Sequence, residues 1–233
     1  MIAAISAPKP MIAPAPPAAD AKATPPAGAA ALAAPTPGSA ADNAQAVLEL
    51  SPQWWSATDR AVVSAGAAVG PADPSRTKQV VQQVLESSPQ WWSASDRALV
   101  AAGAAAGTRD ATGVREAIAT VLDLSPQWWS ATDRAVVSSG AVYGTRANAE
   151  LRESVKTVLD MSPQWWSGSD RALVAAGAAS GTAAPGAVRD AVKGVLDISP
   201  QWWSATDRAL VAAGAAAGPH GLPPFVLTRK GTP

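Results

Sequence analysis

The stretch "GVREAIATVLDLSPQWWSATDRAVVSSG", residues 113–140, holds two different helical patterns separated by a turn. In its first half Val114, Ile118, Val121 and Leu122 fall at i, i+4, i+7 and i+8, the spacing of one helix face. Arg115 and Glu116 lie on the opposite, solvated face. The pattern must stop or kink at Ser125-Pro126, because proline lacks an amide donor and disfavours helix in the residue before it. A second pattern begins at Ser130, three residues before Asp133. That is a capping-box-like spacing: the hydroxyl accepts from an early backbone amide and the acid sits at the positive end of the helix dipole. The earlier serine, followed by proline at the first helical position, is an alternative start. A short turn holding the tryptophans and one helix containing them therefore both remain open. In either case the segment runs out near glycines, such as Gly103 and Gly107 of the neighbouring copy, read as C-terminal breakers.

The pattern recurs five times. The tryptophan pairs are Trp54/Trp55, Trp91/Trp92, Trp128/Trp129, Trp165/Trp166 and Trp202/Trp203, and each step (91 − 54, 128 − 91, 165 − 128, 202 − 165) is 37 residues. A fixed period is the mark of a repeat protein. The first helix reads Thr77, Val81, Val84, Leu85 in the second unit, Leu151, Val155, Val158, Leu159 in the fourth and Val188, Val192, Val195, Leu196 in the fifth. The cap recurs as Ser56/Asp59, Ser93/Asp96, Ser167/Asp170 and Ser204/Asp207. The expected fold is all-α: five tandem helix-pair repeats joined by short linkers, spanning 42–70, 71–107, 108–144, 145–181 and 182–218. Residues 1–41 are dominated by Ala and Pro and are expected to form a disordered tail, with a transit peptide as a second reading. Residues 219–233, with His220, are expected to be an irregular tail.

Lys+Arg and Asp+Glu balance at 18 each, which gives no pull toward nucleic acid or an anionic membrane. Tryptophan stacking on nucleic acid would come with a basic groove. Cysteine is absent, so disulfide scaffolds and thiolate metal sites are excluded. No apolar run approaches the roughly 18 residues of a membrane span, and a soluble intracellular chain is expected. The repeats contain no histidine, no carboxylate pair and no phosphate-cradling glycine loop, and a site repeated five times suits binding better than catalysis. The expectation is a protein without enzymatic activity, cofactor or metal.

The tryptophans admit two readings. As core residues they would be sandwiched between helices, like aromatic anchors in other helical repeats. As contact residues they would present at least one ring per pair to a partner. Adjacent helical residues point about 100° apart, so one ring inward and one outward is the simplest arrangement. The candidate partner-binding set is Trp54, Trp55, Asp59, Arg60 and Val62 in the first unit and Trp91, Trp92, Asp96, Arg97 and Leu99 in the second. Trp128, Trp129, Asp133, Arg134 and Val136 follow, then Trp165, Trp166, Asp170, Arg171 and Leu173, and finally Trp202, Trp203, Asp207, Arg208 and Leu210. The capping role explains the aspartates; nothing in the cap explains the arginines. Independent units on flexible connectors would gain avidity from a shared partner. A stacked solenoid would instead use the tryptophans as inter-repeat core, and both geometries stay open, as does self-association. Release of small peptides from the repeats ranks last, since dibasic cleavage sites between units are missing.

Short tryptophan-containing helical motifs at a regular interval in an Ala/Pro/Ser-rich chain resemble the linker proteins that condense Rubisco in the algal pyrenoid. The resemblance spans about Asp42 to Gly218 in organisation. It implies that each unit docks on a large multi-subunit partner, Rubisco, that several units bridge several holoenzymes, and that the mixture phase-separates in the chloroplast stroma.

Overall fold

Each 37-residue step encodes one antiparallel pair of helices, and the pairs stack. The computed structural model describes residues 38–221; the expectations for the Ala/Pro-rich segment up to residue 37 and for residues 222–233 lie outside the described residues. Among the described residues there are ten α-helices: α1 (Ala40–Leu50), α2 (Ala57–Val69), α3 (Pro74–Ser87), α4 (Ala94–Ala106), α5 (Ala111–Leu124), α6 (Ala131–Tyr143), α7 (Asn148–Met161), α8 (Gly168–Ser180), α9 (Pro185–Ile198) and α10 (Ala205–Ala217). A short 3₁₀ turn, Gly218–His220, follows α10.

The odd-numbered helices form one row and the even-numbered helices a second, each helix packing on its partner and on its counterparts two positions away. The predicted stripes face the interior: Val114, Ile118 and Val121 are buried on α5, and Leu151, Val155 and Val158 on α7, with Leu122 and Leu159 half-buried at the edge. One hydrophobic core runs through all five units. The arrangement is a stacked helical array, one of the two geometries that the sequence left open. The connectors are short, such as Gly107–Asp110 between α4 and α5. Asp110 starts α5 by accepting from the Gly113 amide at 2.7 Å, and Pro74 and Pro185 occupy the first helical position, where the missing amide costs nothing.

The even row is dense because its helices carry small residues where they meet. A Cβ on Gly66 would stand 2.4 Å from the Ala102 carbonyl oxygen, one on Gly140 2.4 Å from that of Ala176, and one on Gly177 2.2 Å from that of Ala213. Gly103 belongs to this series, 2.6 Å from the Ser139 carbonyl, and sits inside α4. The sequence reading of Gly103 as a helix breaker is thus corrected: it is a packing glycine, kept because backbone meets backbone there. Gly107 does end the helix, its amide donating to the Gly103 carbonyl at 2.9 Å.

Carbonyls at and just beyond the C-terminal ends of the even helices are met by side chains from the odd row and from the connector before it. Asn43 donates to the Ala67 and Pro71 carbonyls at 3.0 and 2.7 Å, Arg76 to those of Ala104 and Arg109 at 3.2 and 2.7 Å, and Arg109 to those of Ala141 and Gly144 at 3.0 and 2.7 Å, and also to that of Arg146. A cation at the negative end of a helix dipole is favourable. Burial pushes the Arg76 and Arg109 guanidinium groups below their usual range, partly offset by Asp110, with Asp73 helping at Arg76 and Glu116 at Arg109.

Candidate functional site

The tryptophan pair occupies a turn between the two helices of each unit, which settles the choice left open by the sequence. The preceding helix ends when the serine hydroxyl folds back on the carbonyl four residues earlier, as Ser125 does on Val121 at 2.6 Å, and the proline then prevents continuation. The second tryptophan amide closes the turn onto the proline carbonyl, Trp129 to Pro126 at 3.1 Å. The next serine starts the even helix with a full capping box in every unit: Ser130 accepts from the Asp133 amide at 3.1 Å, and the Asp133 carboxylate accepts from the Ser130 amide and hydroxyl at 3.0 and 2.8 Å.

This turn sends the two rings in different directions. Trp55, Trp92, Trp129 and Trp166 are buried in the core, whereas Trp54, Trp91, Trp128 and Trp165 are about half exposed (49–52%). The rings of a pair meet edge to face, with centroids 5.8–6.1 Å apart and interplanar angles of 78–88°. That geometry suits the ring quadrupoles.

The arginine after each capping aspartate holds its own turn, and in four of the five units it also reaches the preceding one. It donates to the proline carbonyl of its own turn, at 3.3 Å for Arg60 and at 2.8–3.0 Å for Arg97, Arg134, Arg171 and Arg208. It also lies over the exposed tryptophan of the preceding unit: Arg97 on Trp54 at 5.4 Å, and Arg134 on Trp91, Arg171 on Trp128 and Arg208 on Trp165 each at 5.3 Å. A cation over an indole face contributes about 0.5–1 kcal/mol at an exposed site. Two of the aspartates also link units: Thr132 donates to the Asp96 carboxylate at 3.1 Å and Thr206 to that of Asp170 at 3.0 Å. The result is a ladder of tryptophans and arginines along one face of the array. Neither comparison with known proteins nor with known folds adds to this: no family model, curated protein or solved structure matches the chain.

The predicted contact residues therefore divide. The first tryptophan of each pair reaches the surface, with an arginine stacked on it in the first four units. The second tryptophans, apart from the half-buried Trp203, and Asp59, Asp96, Asp133 and Asp170 are buried, as are Leu99 and Leu173; these hold the array together and are removed from the set available to a partner. Val62 and Val136 are half-buried against the core, while Asp207 and Leu210 are exposed at the last unit. The sequence reading missed the arginine stitch, although the "DR" that recurs beside Trp-Trp in all five units was the available signal. It also missed the exposed glutamines Gln53, Gln90, Gln127 and Gln164 beside the ladder. Among the described residues no group of His, Cys, Asp or Glu could hold a metal ion, and no helix is long and apolar enough to cross a membrane.

Proposed function

We propose that this chain is a non-enzymatic, multivalent protein-interaction scaffold whose row of half-exposed tryptophans docks a large multi-subunit protein. The observation that carries the reading is the ladder itself: the same indole, backed by the same guanidinium, stands at the same place in successive units. Tryptophan and arginine are the residue types that dominate binding hot spots, and a surface indole held by a stacked arginine loses little freedom on binding. Because the units are packed rather than tethered, avidity arises from fixed spacing, which favours a partner with regularly placed copies of one surface.

Rubisco holoenzyme is the first partner to try, on the strength of the resemblance in organisation, with condensation of the holoenzyme and a pyrenoid location as parts of the same proposal. The test is turbidity and co-sedimentation of the full chain with Rubisco, against a variant carrying Trp91→Gln, Trp128→Gln and Trp165→Gln. The proposal expects loss of co-sedimentation in the variant with the helical signal retained. Undiminished binding by that folded variant would remove the ladder as the docking surface, and absence of binding by the parent chain would remove Rubisco as the partner.

A further inference from the structure

The interface between consecutive units is made four times within the chain, and each end of the array carries one half of it. At the C-terminal end of the described residues Trp202 is 82% exposed, with no arginine stacked on it there, and Ile198 is 80% exposed where its counterparts Leu124 and Met161 are half-buried. Leu210 and Val211 are exposed where Leu173 and Val174 are buried. Gly214 continues the series of packing glycines, yet nothing lies within 4 Å of the Cβ it would carry. At the N-terminal end the matching half is open: Ala61, Ala65, Ala68 and Val69 are exposed, while Ala98, Ala102, Ala105 and Ala106, one period on, are buried. Arg60 is held by the Pro52 carbonyl of its own turn, and among the described residues no indole lies beneath it.

We infer that copies of this chain associate head to tail, the last unit of one copy docking on the first unit of the next through the interface the molecule already repeats internally. A second copy is the occupant that both faces fit at once. Arg60 would cover Trp202, Thr58 would donate to Asp207 as Thr206 does to Asp170, and Gly214 would admit the Ala65 carbonyl as Gly177 admits that of Ala213. The two faces differ from one another, so the association is heterologous and grows into open chains unless its rotation closes a ring.

The test is sedimentation of the full chain over a concentration series, together with two variants that block one face each. Gly214→Leu adds bulk where the monomer has open space, and Ala65→Arg changes an exposed residue, so both should keep the parent's circular dichroism. The parent's average mass should rise beyond that of a dimer with concentration. Each variant alone should remain monomeric, and an equimolar mixture should stop at a twofold mass, since one variant retains only its tail face and the other only its head face. A parent that stays monomeric throughout, variants that assemble as the parent does, or a mixture that fails to reach a dimer overturns the inference. Assembly that begins only after removal of residues 1–37 or 222–233 overturns it too, by identifying the chain's own terminal segment as the occupant.

Discussion

The arginine of the recurring Asp-Arg pair joins two units through one side chain. Arg134 holds the turn of its own unit at the Pro126 carbonyl and covers Trp91 of the unit before. Arg134→Ala should lower stability by about 1–2 kcal/mol, the sum of a net hydrogen bond and a cation–π contact, read as a fall in urea midpoint. Arg134→Lys should recover only part of that loss, because an ammonium lacks the planar fork that stacks and donates together. Asp207 supplies a pH-dependent counterpart. The Ser204 hydroxyl and then its amide hold the Asp207 carboxyl below the usual carboxylate range. A carboxylate with a depressed value in the folded state stabilises fully above its unfolded value and loses that contribution as pH falls through the folded one. Acid titration of Asp207→Asn, followed by circular dichroism, should therefore show a shallower loss of stability below the ordinary carboxylate range than the parent. At this scale the sequence was only half legible. The serine–aspartate caps were readable because both partners lie within one turn, whereas Arg134 and Trp91 lie more than one period apart and no local rule pairs them.

Among the elements, the even helices depend on glycine for closeness and the odd helices on branched side chains for bulk. Helix propensity alone favours replacing glycine with alanine by about 1 kcal/mol. At Gly140 that gain should be reversed, since the added methyl would lie 2.4 Å from the Ala176 carbonyl and overpacking of that kind costs about 1–3 kcal/mol. At Gly214, where the space is open, Gly214→Ala should raise the melting temperature. Thermal melts of the two variants side by side separate packing from propensity. The period-3.6 stripes of α5 and α7 were legible because their apolar residues are large. The even helices, with small residues on several sides, have no comparably marked face in the sequence, which is why Gly103 resembled a terminator.

For the molecule as a whole, stability rests on nearest-neighbour interfaces, as in other stacked repeats. An excised unit, residues 108–144, exposes both of its stacking faces and should lose most of its helix, while the full chain remains helical under the same conditions; circular dichroism of the two decides it. A well-folded single unit would show that stacking contributes less than the shared core implies. The sequence left beads and solenoid open because a constant period follows from recent duplication as well as from packing, and the glycine contacts between successive helices of the even row distinguish them.

The edge-to-face tryptophans carry one more consequence, for the light the protein absorbs. Two indoles with centroids about 6 Å apart and nearly perpendicular planes share their excitations, and five such pairs repeat with almost the same geometry. Their coupled transitions should add a signed couplet to the far-ultraviolet dichroism, on top of the helical bands. Helix content read from a single wavelength would then be biased, and the couplet itself would report, summed over the five pairs, how far the turns are intact.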